Sequence, residues 1–250
     1  MGEMPLFPLD IVLFPGMKIS LHIFEERYKE MLTRCLDENR LFGVILLRSD
    51  QPPTRNPRRV KTFRVGCSAR ITHVEQLAEG KMDVEIEGVE RFRLIEQHEV
   101  ESYRTGIVES LGDTVPVGAE TEVTADLGDE VGNLLKEFLT RQLAQMGQRV
   151  VEFDLPRNPA TLSLITACIL PVENETKQTL LEQTSTRERL GTERDILRHS
   201  ITRLRRADAS GLKQPGTADT YEGSVGETEP TVMQFGRIQT DRYRDYFCGN

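Results

Sequence analysis

The sequence predicts an α+β protein with its strands first and its helices second. Three observations carry this. Apolar and polar residues alternate through most of residues 4–112, with one early helical stripe. Apolar spacing then turns helical over 118–206, and 207–250 is rich in Gly, Thr, Glu, Asp and Pro. The expected organisation is a β-rich subdomain (4–112), a helical subdomain (118–206) and a disordered tail (207–250). Residues 207–231 carry too little apolar surface to offset the entropy of ordering them.

The opening run from Pro5 to Gly16 is apolar but holds Pro5, Pro8 and Pro15. A central strand needs its N–H donors, so these prolines predict strand ends, edges or turns. Ile19, Leu21 and Ile23 alternate with Ser20 and His22 and predict a half-buried strand. Residues 25–39 predict an amphipathic helix, with Tyr28, Met31, Leu32, Cys35 and Leu36 on one buried stripe. The continuous apolar run 41–47 reads as a strand covered on both faces. Val65, Cys67, Ala69 and Ile71 share one face; Met82, Val84 and Ile86 alternate with Asp83, Glu85 and Glu87. The two runs predict a hairpin turning at 76–80, with a bulge at Gly88. A last strand spans 103–108.

In the second region Val123, Leu127, Val131, Leu134, Leu135, Phe138 and Leu143 recur at helical spacing. Asn158-Pro159 predicts a capped helix that ends near Pro171. Residues 173–184 carry Leu180 and Leu181, and Ser185 with Glu188 predicts a capping box. Leu190, Leu197, Ile201 and Leu204 continue a near-heptad stripe. The basic series Arg187, Arg189, Arg194, Arg198, Arg203, Arg205 and Arg206 is interrupted by Glu188, Glu193 and Asp195, which predicts a solvated, ion-paired face.

Charge and motifs exclude several functions. Forty acidic against 32 basic residues, a net −8, argue against a general nucleic-acid binder. No apolar run approaches the roughly 20 residues of a membrane span, and the first residues do not read as an export signal. A cytoplasmic protein with reduced thiols is expected. Gly80-Lys81 is followed by Met82, so no phosphate loop forms. Gly66-Cys67-Ser68-Ala69-Arg70 is no nucleophile elbow, and His98-Glu99 is not followed by a second histidine. Cys35, Cys67, Cys168 and Cys248 are widely spaced, as are His22, His73, His98 and His199. No catalytic, cofactor or metal residue is assigned.

A family resemblance then emerges. Pro5-Leu6-Phe7-Pro8-Leu9, Val12-Leu13-Phe14-Pro15-Gly16 and Leu21-His22-Ile23-Phe24-Glu25-Glu26-Arg27-Tyr28 resemble the opening of the Lon protease N-terminal domain. Phe42-Gly43-Val44, the 65–71 and 84–93 segments, Leu162-Ser163 and the 177–182 segment continue it in order, over about residues 4–205. The resemblance implies a PUA-like β pseudo-barrel with one early helix, followed by a C-terminal helical bundle. It also implies the stand-alone bacterial form, without the ATPase and Ser-Lys peptidase modules of full-length Lon. Physically, Phe24 and Tyr28 would anchor the first helix, and Arg91 or Arg93 would pair with Glu25 or Glu26.

The expected function is a non-enzymatic module that binds unfolded or extended polypeptide segments, with a protease or chaperone component as a further partner class. Recognition needs exposed apolar residues. Met17, after a turn, and Leu77, near a hairpin tip, are the candidates, because neither belongs to a periodic core stripe. The alternative is an adaptor or scaffold whose tail docks a partner through Phe235, Tyr243, Tyr246 and Phe247.

Overall fold

The apolar alternation of the first hundred residues folds into six strands and a helix, and the helical spacing beyond them into four more helices. The computed structural model describes residues 1–48, 61–98, 102–145, 154–210 and 234–235. The strands are β1 (Gly2–Leu9), β2 (Met17–Ile23), β3 (Phe42–Leu47), β4 (Thr62–Gln76), β5 (Met82–His98) and β6 (Arg104–Ser110). A two-residue β7 (Gln234–Phe235) follows late in the chain. The helices are α1 (Glu26–Asp37), α2 (Ala119–Gln145), α3 (Pro159–Ile169), α4 (Asn174–Glu182) and α5 (Thr186–Ser210).

The strand pairings form a cycle. β1 lies parallel to β3 and antiparallel to β6; β3 pairs β4, β4 pairs β5, and β5 returns to β6. β1 is thus an interior strand despite Pro5 and Pro8, and its register shows how. Gly2 to Leu6 pair β6, whereas Leu6 to Leu9 pair β3, so Leu6 alone has a partner on both sides. Each proline has a partner strand on one side only, the edge-like setting in which a residue without an N–H is tolerated.

The alternation of β1 sends its side chains to two cores. Leu6 packs with Ile45, Phe92, Leu94 and Val108. Phe7, on the opposite face, stacks on Tyr28 of α1 at 4.1 Å between ring centroids and meets Phe42 at 6.3 Å. Burial on both faces explains the unbroken apolar run of β3. In α1, Tyr28, Met31, Leu32 and Cys35 are buried as predicted, but Leu36 is exposed. Tyr28 anchors the helix, whereas Phe24 stands 40% exposed.

The β4–β5 hairpin turns through a short 3-10 segment at Ala78–Gly80. Its ladder slips between the pairs Cys67↔Arg91 and Ala69↔Gly88, which is the bulge expected at Gly88. Ser68 fills the irregularity: its hydroxyl donates to Glu90 O and accepts from Glu90 N. The expected pairing of Arg91 or Arg93 with Glu25 or Glu26 does not form. Glu25 is taken by Arg27 and Glu26 by Lys29. Arg93 faces Glu109 at 3.6 Å, and buried Arg91 donates Nη1–H to Leu181 O at 2.9 Å.

Contacts divide the described residues into two units. Met1–Gly112 and Val172–Glu182, with β7, make the first. There α4 lies against β4, where Gln178 donates Nε2–H to Val65 O and Asn174 donates to Asp10 O. The second unit contains α2, α3 and α5 in mutual contact. Asn158 caps α3 by accepting Thr161 N–H at 3.0 Å, and Ser185 accepts Glu188 N–H at the start of α5. Arg198 pairs with Glu130, and Arg205 with Glu137 at 2.6 Å, so that part of the basic series is ion-paired as predicted.

Candidate polypeptide-binding edge

In the strand cycle β2 is the outlier. It pairs β5 on one side through all of Lys18 to Ile23, opposite Glu87 to Met82. On its other side β7 pairs only Met17 and Lys18, with Phe235 and Gln234. Among the described residues no strand pairs that side of 19–23. A strand edge of this kind presents backbone N–H and C=O groups that can template another extended chain. The sequence builds it directly: the Pro15-Gly16 turn, with Gly16 at φ 79°, starts β2, and α1 begins soon after it ends.

The two faces of β2 differ. Met17, Ile19 and Ile23 point into the core, and Leu21 is half-buried. Lys18, Ser20 and His22 are half-buried on the outer face, opposite Glu87, Glu85 and Asp83 of β5. Those acids face Arg70, His73 and Glu75 of β4 in turn. His22 Nδ1 lies 2.7 Å from Asp83 Oδ1. Main-chain groups at a strand edge can pair an extended chain whatever its sequence, and the outer face beside this one carries Asp83, Glu85, Glu87 and Glu75 together with Lys18 and Arg70.

The residues singled out from the sequence fare differently. Met17 is 1% exposed and therefore gives no side-chain surface to a peptide. It is the first inward residue of β2, in phase with Ile19 and Ile23, a period-2 signal that extends past the turn. Leu77 is half-buried, and its N–H is spent on Lys81 O at 2.8 Å. Phe235 lies in β7, opposite Met17. Tyr243, Tyr246 and Phe247 lie outside the described residues.

The sequence reading missed the exposed valines of the helical unit. Val115 and Val117 are 79% and 76% exposed just before α2, and Val123, assigned to the core stripe, is 45% exposed. Val123 lines a groove of about 640 Å³ with Leu127, Glu120, Glu130, Arg187 and Arg194. The polar side chains there are engaged: Arg187 reaches Glu120 at 4.0 Å, and Arg194 binds Asp195 at 2.9 Å.

The described thiols are buried. Burial pushes the Cys35 thiol up to about 11, so it stays protonated at neutral pH. Cys67 and Cys168 are buried too. Among the described residues no three His, Cys, Asp or Glu side chains gather as a metal site. One polar cluster has the composition of an active site. Arg189, placed on the solvated face by the sequence reading, is fully buried; it clasps Asp113 with Nη1 and Nη2 at 3.1 and 2.6 Å and donates Nε–H to Ser163 Oγ at 2.7 Å. Ser163 donates in turn to Glu193 Oε1 at 2.9 Å. Ser163, Arg189 and Glu193 are each 0% exposed, so no reactant reaches them, and the cluster fixes the packing of α3 against α5.

The comparisons with known proteins fit this architecture. The family model of the ATP-dependent protease La (LON) substrate-binding domain matches residues 3–199. The chain belongs to the Lon substrate-binding domain family. Lon proteases of Halothermothrix orenii and Syntrophus aciditrophicus are 26% and 28% identical over 204 and 205 residues. These alignments cover 81% and 79% of this chain but 26% and 25% of the proteases, so the chain spans about a quarter of these relatives' length. A Lon N-terminal domain protein from Xanthomonas campestris superposes with a TM-score of 0.53 at 22% identity, covering 77% of this chain and 96% of the other. The N-terminal domain of Mycobacterium avium complex Lon gives 0.56 at 16% identity, covering 79% and 98%. These likenesses show the fold that the Lon domain shares with this chain: a sheet-rich part followed by helices. No helix among the described residues is long and apolar enough to cross a membrane.

Proposed function

We propose that this member of the Lon substrate-binding family is a non-enzymatic module that holds unfolded or extended polypeptide segments, and that it does so along the free side of β2. The observation that carries the reading is that, among the described residues, no strand pairs one side of 19–23 in β2, whereas β1, β3, β4, β5 and β6 pair in a cycle. An extended client added there gains main-chain hydrogen bonds without a fixed side-chain code, which suits promiscuous recognition. Membership of a substrate-binding family supports a polypeptide partner, and the burial of the three described thiols supports binding over thiol catalysis. On this reading the cycle of β1, β3, β4, β5 and β6 is the PUA-like pseudo-barrel, α2, α3 and α5 form the bundle, and the protein works in the cytoplasm.

The test uses fluorescein-labelled β-casein, an unfolded protein, with Leu21→Lys as the edge-blocking variant, since charge on an edge strand opposes augmentation. Binding by the parent and a loss of at least about tenfold in Leu21→Lys are expected, a size equal to ~1.4 kcal/mol. Ser20→Lys, on the outer face, repeats the test at less risk to the core. Equal affinity in the parent and both variants removes β2 as the site.

A further inference from the structure

β2 is not empty along its whole edge. Phe235 and Gln234 pair antiparallel with Met17 and Lys18, so the chain's own late segment sits on the strand proposed to receive clients. We propose that Gln234–Phe235 is the resident occupant of the β2 edge, and that an extended polypeptide binds by displacing it. This rests on the reading of β2 as the client edge.

Three features support the proposal. The contact is made by main-chain pairing, the same mode a client would use, so the two compete for the same N–H and C=O groups. It covers two of the seven residues of β2, and among the described residues 19–23 have no strand partner on that side. A client can therefore pair first on those residues and then advance along the strand to replace β7. The segment is also tethered, since residues 211–233 connect it to α5. Tethering makes the pairing intramolecular, so it need not be held by affinity between separate molecules. A two-residue pairing that would not persist between separate molecules is thus maintained, yet stays weak enough to yield. The occupant would filter clients: only segments that pair over more of β2 than β7 does would win.

The experiment locks the occupant in place. Opposed residues of an antiparallel pair have Cα atoms about 4.5–5.5 Å apart, within the range a disulfide spans. Lys18→Cys and Gln234→Cys are combined in a Cys248→Ser background, where the buried Cys35, Cys67 and Cys168 stay out of reach. The expected result is a disulfide on mild oxidation that lowers the affinity for labelled β-casein at least about tenfold, with recovery on reduction. Phe235→Pro in the otherwise native chain removes an N–H and is expected to raise casein affinity. Failure of the disulfide to form overturns the occupancy, and so does equal casein binding by locked and reduced chains. A disulfide that forms in a chain that binds no casein in any state, Phe235→Pro included, overturns displacement together with the proposed function. Casein binding that is lost in Leu21→Lys but unmoved by the lock or by Phe235→Pro overturns the occupant alone.

Discussion

Glu193 shows how much one side chain can ask of a core. Its carboxyl lies fully buried beside Ser163, within reach of the Arg189 charge that Asp113 already takes up. Burial holds its pKa well above the usual carboxylate range; the Ser163 hydrogen bond and the Arg189 charge oppose that rise without cancelling it. The folded chain therefore keeps a proton that the unfolded chain releases. The resulting stabilisation is complete below the ordinary glutamate pKa and is lost as pH rises toward the folded value, at most about 1.4 kcal/mol per pH unit. Glu193→Gln is neutral at every pH and keeps a donor. Its urea midpoint should stay flatter than the parent's from pH 5 to pH 8, so that the variant gains on the parent as pH rises. Parallel midpoint curves would mean that Glu193 is ionised in the folded protein.

At the scale of elements, Gly88 sets how the chain before β2 meets β5. Gly16 donates its N–H to Gly88 O at 2.8 Å, which brings the backbones together. A Cβ on residue 88 would stand 2.2 Å from Phe14 O and 3.2 Å from Cys67 Sγ. Gly88→Ala must therefore push the Phe14 segment away, and a stability loss of about 1–3 kcal/mol is expected by thermal or urea unfolding. An unchanged midpoint would show that the segment yields freely. The glycine was legible in the sequence as a break in alternation, because period-2 patterning is local. So were β2, β3, the β4–β5 hairpin, the Tyr28–Cys35 stripe of α1 and the Asn158 cap, each of which follows from neighbours within a few residues. What escaped depends on distant partners. The prolines of β1 fit an interior strand only because β3 and β6 are staggered along it. Arg189 falls in a run of arginines that is otherwise solvated, and only Asp113 and Ser163, far away in sequence, show that it is buried. The edge of β2 was equally illegible, since an edge is defined by which strands fail to arrive.

For the whole molecule, chain order and spatial grouping diverge at α4. It lies between α3 and α5 in sequence, yet groups with the strands. The reason is hydrogen-bonding need. Arg91 is 4% exposed within the sheet unit, and the C-terminal carbonyl of Leu181 accepts its Nη1–H. Such carbonyls have no partner within their own helix. Gln178 meets Val65 O by the same logic. Arg91→Met keeps most of the volume and removes this donor, and should cost about 1.5–3 kcal/mol, the usual worth of a bond to a charged group. The loss should be confined to one unit, because opening follows contacts rather than chain order. Amide exchange of 177–182 should quicken together with that of β4 and β5, while α2, α3 and α5 keep their protection. Exchange of α4 in step with α5 instead would place the helix in the second cooperative unit, and its contacts with β4 would then not be what holds it.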